Sequence, residues 1–377
     1  MDESFKKIIK EGLSGLIKSF RDDSSKKQAI GVDIGSSYVK IVQLKKKGGK
    51  PVLETYGVLA LGPYNKTEVG SVTNLKSEDV AKAITDLMKE SNVTINNAVV
   101  SIPSLSSLIF TLSLPNKIAE GEMAKIIPIE ARKYIPVPIS EVTLDWFVIP
   151  DDGGSFEETK EENRMKDKID VLVVAIHNDT IAQYKDIVKK TSLVCESLEM
   201  EIFSNIRSIL GHELAPVMII DFGASKVKVS IIENGILRVF HVVNRGSQDI
   251  TRNISQSLNL TFDEAERLKR SVGLDASMDP RIEKIVKMSI QYIYTDINSI
   301  VFNYQKKYNR DVSKIFLTGG GSMLKGFLEA SRENFRSDVV YADPFSKTET
   351  PAFIQPVLQT SGPEFSVALG LALHQLS

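Results

Sequence analysis

The chain has 377 residues, of which 42% are hydrophobic and 25% are charged, and its formal net charge is −1. This length allows two lobes with separate cores, and the balanced charge argues against a general basic surface, so we expect no nucleic-acid partner. The single cysteine, Cys195, excludes an internal disulfide, and no signal-peptide pattern or roughly 20-residue apolar run occurs, which together predict a cytoplasmic protein.

Residues 1–27 form a segment ahead of the first predicted strand. Apolar residues recur at helical spacing between Phe5 and Phe20, while lysines and Arg21 take much of the opposite face. This pattern predicts an amphipathic basic helix over residues 1–21, followed by a Ser-Ser-Lys-Lys linker. Such a helix either contacts an anionic membrane surface or docks on a protein, and the sequence leaves both interpretations open.

The stretch Ile30–Leu44 predicts two strands joined by a tight turn. Apolar residues lead into Asp33, the chain turns at Gly35-Ser36-Ser37, and alternation then resumes. Because Gly35 has no Cβ, a phosphoryl oxygen can approach the backbone there, and Ser36 and Ser37 add hydroxyl and N–H donors. Asp33 at the strand end can hold Mg²⁺ directly or through water. The stretch is therefore a predicted phosphate-binding hairpin.

Further elements complete a mixed α/β first lobe, which we assign to residues 28–103 and 171–215. A strand over Pro51–Leu61 follows the hairpin. A helix begins at Ser77, whose side chain we expect to cap it. Asn97–Ile102 is predicted to be a buried strand.

Residues 104–170 differ in pattern and are predicted to form a subdomain inserted in the first lobe. Strands over Leu105–Leu114 and Val142–Ile149 flank a helix around Glu122–Tyr134. The polar run 151–168 is too highly charged to be buried and predicts a solvated hairpin tip. The elements expected after it are the core strand Val171–Ile176 and helices over His177–Lys190 and Met200–Leu210.

Much later, the stretch Ile219–Ile232 repeats the pattern of the first hairpin. The alignment that pairs Asp221 with Asp33 also pairs Gly223 with Gly35, Ser225 with Ser37 and Lys228 with Lys40. A repeated hairpin of this kind predicts two similar lobes that grip one polyphosphate.

The second lobe is assigned to residues 216–245 and 310–377, with a helical subdomain over residues 246–309. Three glycines, Gly319–Gly321, follow a predicted strand and precede a helix whose N-terminus favours negative charge. Gly370 lies in the last helix, where we expect a close helix contact. The predicted helices of this half are Ile250–Leu258, Thr261–Arg270 with a Thr261/Glu264 capping box, Arg281–Tyr308 and Glu364–Gln375.

Several other phosphate, metal and hydrolase motifs are missing from the sequence. No G-x-x-x-x-G-K-[ST] run exists, Leu324 stands where a dinucleotide fingerprint needs its third glycine, and no G-x-S-x-G elbow occurs. The four histidines lack the spacing of a metal site. A Walker-type P-loop, a dinucleotide fingerprint, structural zinc and a hydrolytic triad therefore have no support.

The motifs D-I-G-S-S, D-F-G-A-S and T-G-G-G-S, in this order, resemble those of the actin-like ATPase superfamily. The resemblance covers roughly Ala29 to the C-terminus and implies a two-lobed α/β, ribonuclease H-like fold that binds ATP with Mg²⁺ between its lobes. The A-E-x-x-K run is similar to the segment that reaches ribose and purine in that superfamily. The implied cofactor-binding residues are Asp33, Gly35, Ser36, Ser37, Lys40, Asp221, Gly223, Ala224, Ser225, Gly246, Glu266, Lys269, Gly319, Gly320, Gly321 and Ser322, with Asp33 and Asp221 as the Mg²⁺ ligands.

Within that superfamily the chain is more similar to the PilM family of type IV pilus assembly proteins, in the FtsA/PilM branch. This resemblance implies an ATP-binding adaptor, peripheral to the inner membrane, that binds the N-terminal cytoplasmic tail of PilN in a groove between the first lobe and the insert. The PilO–PilN complex and the assembly ATPases are further implied partners. The segments that carry the resemblance are Glu130–Pro136, Ser140–Asp145, Ala342–Phe345 and Ala368–Leu373.

The catalytic acid stays unassigned. Glu199 and Glu201 lie near the segment where related ATPases keep a water-positioning acid, but neither stands in the N-E-P-x-x-A context of the efficient members. The resemblance therefore implies slow hydrolysis or none, with the nucleotide acting as a brace between the hairpins. An FtsA-like membrane-associated filament, a small-molecule kinase of the same fold and a type II secretion component stay open as alternatives.

Overall fold

The computed structural model describes residues 27–115, 120–149, 168–211 and 213–376. The predicted N-terminal helix and nearly all of the polar run 151–168 lie outside these residues. The strands are β1 (Gln28–Ile34), β2 (Tyr38–Lys47), β3 (Lys50–Ala60), β4 (Asn97–Ile102), β5 (Ser107–Pro115), β6 (Val142–Val148), β7 (Lys168–His177), β8 (Val194–Met200), β9 (Val217–Phe222), β10 (Val227–Glu233), β11 (Ile236–Val243), β12 (Lys314–Thr318) and β13 (Asp338–Tyr341). The α-helices are α1 (Ser77–Glu90), α2 (Glu120–Ala131), α3 (Asn178–Lys189), α4 (Glu201–Ile209), α5 (Ser247–Leu258), α6 (Phe262–Val272), α7 (Pro280–Tyr308), α8 (Phe327–Asn334), α9 (Gln355–Ser361) and α10 (Ser366–Leu376).

The described chain divides into two compact units. The first comprises residues 102–186, and the second comprises residues 27–101 together with 187–376. The first unit contains the sheet β5-β7-β6, in which both pairings are antiparallel. Met123 and Ile127 of α2 pack into the core of this sheet. The segment predicted to be an insert thus has a core of its own, while the predicted domain boundaries stay predictions.

The second unit contains two five-stranded sheets with the same strand order. They run β3-β2-β1-β4-β8 and β11-β10-β9-β12-β13. In each sheet, three strands that follow one another in the chain form an antiparallel meander, whose first strand then pairs in parallel with a later one. We call these sheets, with the helices packed on them, the first and second lobe. The repeat seen in the two hairpins therefore extends to whole sheets.

The core of the second lobe lies between its sheet and helices α5, α6 and α7. Helix α7 buries Ile282, Val286, Ile293 and Ile297, whose spacing of four or seven residues places them on one face. It begins where the Asp279 side chain accepts hydrogen bonds from two backbone N–H groups, and it ends at a left-handed asparagine. A continuous apolar face with a cap at each end explains a helix of 29 residues.

Helix α10 packs on the first sheet, although the sequence assigned its residues to the second lobe. Two glycines allow close backbone contacts of α10: Gly31 of β1, which α10 covers, and Gly370 of α10 itself, which faces α4. A Cβ on Gly31 would lie 1.9 Å from the carbonyl oxygen of Ala368, and one on Gly370 would lie 2.0 Å from that of Ser204 in α4. The prediction of a close helix contact at Gly370 is therefore confirmed.

Some local predictions were wrong. Lys76, not Ser77, occupies the N-cap position of α1, and no side chain caps that helix. Helix α8 begins only at Phe327, and the last two glycines of the triplet are part of a short 3₁₀ turn, Gly320–Met323. Strands β8 and β13 were missed because one is rich in polar residues and the other has only four residues. The capping box of Thr261 and Glu264 at the start of α6 is confirmed.

Candidate functional site

The first hairpin places a buried carboxylate at the end of β1. Asp33 lies opposite Lys40 of β2, and the turn is closed by a 2.9 Å hydrogen bond from the Gly35 N–H to the Tyr38 carbonyl. Ser101 of β4 donates its hydroxyl to Asp33 Oδ1 over 3.0 Å. Burial raises the pKa of Asp33 above its ordinary value, although the charge of Lys40 acts against this. The turn therefore presents a fixed carboxylate beside a loop with no Cβ at its apex.

The serines of this turn are anchored through their backbone. The Leu61 N–H donates to the carbonyl of Ser37 over 2.9 Å, and the Thr73 N–H donates to that of Ser36 over the same distance. The Ser37 side chain is buried, while Ser36 is half-buried. Both serines are thus fixed in place at the predicted phosphate position.

The second hairpin reproduces the first. Asp221 lies opposite Lys228, and the Gly223 N–H donates to the carbonyl of Lys226 over 3.0 Å, as Gly35 does to Tyr38. The start of α5 docks on this turn, since the N–H groups of Ser247 and Gln248 each donate over 3.0 Å to the carbonyls of Gly223 and Ala224. The turn is therefore held by a helix N-terminus.

Gly246 is required by this docking. A Cβ there would lie 2.3 Å from the Ala224 carbonyl oxygen and 2.6 Å from the carbonyl carbon of Ser225. A larger residue would push α5 away from the turn that its first N–H groups hold.

Lys228 of the second hairpin contacts two carboxylates. Its Nζ lies 2.6 Å from Glu201 Oε2 at the start of α4 and 3.2 Å from Asp221 Oδ2. Burial lowers the pKa of Lys228, but Asp221 and Glu201 outweigh it, so the pKa lies above its ordinary value. The charge of Asp33 acts on the same ammonium. Carboxylates from both lobes therefore share one cation.

The glycine triplet lies directly against the second hairpin. Gly319 has a φ of +82°, and a Cβ there would lie 2.4 Å from Asp221 Oδ1. A Cβ on Gly321 would lie 2.7 Å from the carbonyl oxygen of Phe222. The Ser322 hydroxyl donates to the Gly319 carbonyl over 2.7 Å. These residues, with Gly320 between them, form the wall beside Asp221, as their position at the end of β12 predicts.

Glu266 and Lys269 are buried and form an ion pair of 2.6 Å. Thr251 bonds to both of them, and Lys269 Nζ also donates to the Ser247 carbonyl over 3.2 Å. Burial raises the pKa of Glu266, but Lys269 and its other partners outweigh it and lower the pKa below its ordinary value. The pair lies next to the second hairpin through Ser247, and within the described residues it is engaged in this internal network.

Arg270 links the helical subdomain to the first hairpin. Its Nε donates to Glu266 Oε1 over 2.7 Å, and its Nη2 donates to the Tyr38 hydroxyl over 2.9 Å. Tyr38 begins β2 directly after the turn of the first hairpin. A side chain of one lobe thus bonds the first hairpin, which belongs to the other lobe.

The two glutamates considered as catalytic acids have different surroundings. Glu199 pairs with Arg207 at 2.7 Å and lies 3.5 Å from His374 of α10. Glu201 pairs with Lys228 and so faces the hairpins. Only Glu201 is therefore placed near the residues of the predicted site.

The side chains at this site offer Mg²⁺ one accessible carboxylate, so its other ligands would be water or phosphate oxygens. No group of three or more His, Cys, Asp or Glu side chains that could hold a metal occurs in the described ranges. Lys228 lies on Asp221, whereas Asp33 carries one hydrogen bond from Ser101 on Oδ1. Mg²⁺ commonly binds one or two carboxylates, water and substrate phosphates, and Asp33 fits that arrangement.

Ser101 and Lys228 were not among the predicted site residues. The pairing of Lys228 with Lys40 in the internal repeat is the signal that could have identified it. Ser101 carried no comparable signal, because its hydrogen bond to Asp33 spans 68 positions of the chain.

No helix among the described residues combines the length and the apolar character needed to cross a membrane.

Comparisons with known proteins agree with this geometry. A family model described as "Type IV pilus assembly protein PilM" matches residues 31–376. Cell division protein FtsA of Enterococcus faecalis is 21% identical over 380 residues, which cover 92% of this chain and 84% of FtsA.

Two solved structures share the fold. The "PilM-PilN type IV pilus biogenesis complex" has a TM-score of 0.78 at 23% identity, covering 93% of this chain and 98% of that chain. Ethanolamine utilization protein EutJ from Carboxydothermus hydrogenoformans has a TM-score of 0.53 at 14% identity, covering 97% and 98%. The predicted two-lobed α/β, actin-like fold is thereby confirmed.

Proposed function

The chain belongs to the PilM family of type IV pilus assembly proteins, and we propose on that premise that it is a nucleotide-binding adaptor of pilus assembly. It binds ATP between its lobes and the N-terminal cytoplasmic tail of PilN elsewhere, at the cytoplasmic face of the inner membrane. One observation carries the nucleotide half of this proposal: Lys228 of the second hairpin contacts both Asp221 and Glu201, and the charge of Asp33 in the first hairpin acts on the same ammonium.

The three motifs have separate roles in this proposal. The turns at Gly35 and Gly223 lie at equivalent places in the two sheets and offer backbone N–H groups to phosphate oxygens. The glycine triplet at Gly319–Gly321 lies beside Asp221, and adenosine is proposed to bind against it. Glu266 and Lys269 lie near enough to the second hairpin to reach the ribose after rearrangement of their present network.

Mg²⁺ would be held by Asp33 together with phosphate oxygens and water. When bound, the ion supplies positive charge that offsets the phosphates. Asp33 is suited to this role because Ser101 orients its carboxylate. The symmetrical arrangement, with Asp221 as a second ligand, stays a prediction.

Hydrolysis is proposed to be slow. A general base must be able to accept a proton from water, and Glu201 is the carboxylate near the hairpins other than the two aspartates. The ammonium of Lys228 lies 2.6 Å from Glu201 Oε2, so this carboxylate is already engaged in an ion pair. The nucleotide then acts as a brace that favours the closed lobes.

The nucleotide site is tested by replacing both hairpin aspartates. We expect the Asp33→Asn, Asp221→Asn double variant to bind ATP at least about tenfold more weakly in calorimetry with Mg²⁺, because charged ligands of the phosphate–metal site are lost. Asp338→Asn is the matched control, since Asp338 is exposed on β13 and should leave affinity unchanged. Unchanged affinity in the double variant would refute the site.

The partner half of the proposal is supported by the PilM family match and by the first unit. Ile129 and Tyr134 of that unit are exposed apolar side chains, at 62% and 53%, of the kind that a bound peptide covers. A fluorescent peptide of the PilN tail from the same organism should bind the wild type in anisotropy, and a scrambled peptide should not. Failure of the native peptide to bind would contradict this half and leave the nucleotide half intact.

Residues 1–21 are proposed as an additional contact with the membrane surface. Flotation with anionic vesicles should recover the full chain and lose it when residues 1–26 are deleted, since the predicted basic helix would be removed. Recovery of both proteins alike would exclude this contact. The PilO–PilN complex and the assembly ATPases stay as proposed further partners.

An FtsA-like filament is the second candidate, because FtsA of Enterococcus faecalis is similar over 92% of this chain. Sedimentation with ATP and lipid distinguishes the two. A filament pellets only above a critical protein concentration, whereas an adaptor that contacts the membrane pellets with the lipid and shows no such threshold.

A further inference from the structure

Lys228 is surrounded by carboxylates in the part of the molecule where the lobes meet. Its ammonium contacts Glu201 Oε2 at 2.6 Å and Asp221 Oδ2 at 3.2 Å, and all three side chains are largely buried. The charge of Asp33 acts on the same ammonium. A buried carboxylate pair needs a nearby cation, and here the chain supplies that cation itself.

The balance of charges around Lys228 affects phosphate binding. Asp33, Glu201 and Asp221 bring three negative charges to the place where we expect an anionic polyphosphate. Lys228 and Lys40 bring two positive charges, and both act on Asp33. Without Lys228 the site would strongly repel phosphate, because like charges interact over short distances at reduced dielectric.

The two hairpin aspartates also make different contacts. Asp221 is bonded by Lys228 and packed against Gly319, where even a Cβ would approach Oδ1 to 2.4 Å. Lys228 thus occupies Oδ2 and Gly319 crowds Oδ1, which leaves a hydrated metal ion little access to this carboxylate. Asp33 carries one hydrogen bond from Ser101, on Oδ1. The two aspartates, which are equivalent in sequence, are therefore inequivalent in their surroundings.

Resting on the proposed nucleotide site, we propose that Lys228 is a resident cation that takes the place of a second metal contact. It neutralises Asp221 and Glu201, so that polyphosphate binding persists to a large extent when Mg²⁺ is removed. The hairpins of this chain thus bind nucleotide with a weak requirement for divalent cations. Lys228 is a positioning residue in this proposal, because it acts through the carboxylates it holds.

The test compares ATP affinity with Mg²⁺ and with EDTA in excess, measured by titration calorimetry. The quantity of interest is the ratio of the two dissociation constants for each protein. We expect this ratio to be below about tenfold for the wild type, and Lys228→Met to raise it by at least a further factor of about ten, since each such factor corresponds to about 1.4 kcal/mol. Binding is the readout, so hydrolysis does not enter.

Two control variants separate charge from general damage. Lys226→Met removes a half-buried lysine of the same hairpin, whose Nζ contacts Asn244 at 3.0 Å, and should keep the wild-type ratio. Lys228→Arg retains the charge and should also keep it. If Lys228→Met alone fails to fold, the Glu201→Gln, Lys228→Met double variant removes one carboxylate with the lysine. We expect its ratio to exceed the wild type's, because Asp221 still lacks its counter-ion.

Each outcome has a defined meaning. A ratio in folded Lys228→Met, or in the double variant, equal to that of the wild type would overturn the resident cation. A wild type that loses all measurable binding in EDTA would overturn it as well. A wild type that binds no ATP even with Mg²⁺ would instead refute the proposed nucleotide site itself. The two failures are thus distinguishable.

Discussion

Replacement of Gly319 by alanine tests whether the glycine triplet and Asp221 act as one unit. The residue has a φ of +82° and a ψ of 158°, a conformation that side chains other than glycine's adopt only at a cost of about 1–3 kcal/mol. The added Cβ would lie 2.4 Å from Asp221 Oδ1 and 2.8 Å from the carbonyl oxygen of Phe222. Overpacking against backbone typically adds about 1–3 kcal/mol.

The expected loss in free energy of unfolding is therefore about 2–6 kcal/mol, from the strain and the overpacking together. Thermal unfolding followed by circular dichroism should show a melting temperature lowered by roughly 2.5–7.5 °C, since the unfolding entropy of a chain of 377 residues is about 0.8 kcal/mol/K. Because relief of the contact would displace Asp221, ATP affinity should also fall at temperatures where the variant is still folded.

Gly320→Ala is the matched control. A Cβ on Gly320 would have its nearest neighbour, Glu364 Oε2, at 3.9 Å, and Gly320 has no positive φ. Its melting temperature should stay close to that of the wild type. If Gly319→Ala melts within about 1 °C of this control and binds ATP as tightly as the wild type does, the coupling of the triplet to Asp221 is refuted.

Three further changes give separate expectations. Asp33→Asn should weaken ATP binding in Mg²⁺ by at least about tenfold while leaving the melting temperature of the nucleotide-free protein little changed, and a drop in melting temperature without a loss of affinity would contradict this. Arg270→Gln should lose the hydrogen bond to the Tyr38 hydroxyl, so that limited proteolysis between the lobes becomes faster when no nucleotide is bound. Arg267→Gln, at an exposed position on α6, is the control. Burial lowers the pKa of His374, and the charge of Glu199 partly offsets this effect. The neutral imidazole therefore contributes fully to stability above the unfolded pKa of about 6.5, and this contribution is lost as the pH falls towards the lower folded pKa. Denaturant unfolding from pH 7.5 to 5 should therefore show a smaller loss of stability in His374→Gln than in the wild type, and equal slopes would refute the assignment.

Much of this fold could be predicted from local patterns. The hairpin strands around Asp33 and Asp221 follow from alternation interrupted by a glycine turn, and α7 follows from an apolar face repeated over many turns. Such signals lie within a few residues of each other, so the sequence displays them directly. The repeat of Asp, Gly, Ser and Lys indicated two like lobes, and the two sheets have the same strand order.

The rest depended on contacts between distant positions. No local pattern indicates that α10 returns to β1, that Ser101 orients Asp33, or that Glu201 and not Glu199 faces the hairpins. The weak strands β8 and β13 form because neighbouring strands already offer backbone partners.

The sequence by itself thus determined which elements form and which residue types line the predicted site, because periodicity and turn chemistry are properties of short segments. Only the tertiary structure decided that the ammonium of Lys228 lies between Glu201 and Asp221. Lys228 and Lys40 occupy equivalent positions in the repeat. Their surroundings differ because the fold brings Glu201, at the start of α4, to Lys228. Burial and long-range charge depend on that arrangement in space, which one-dimensional spacing does not record.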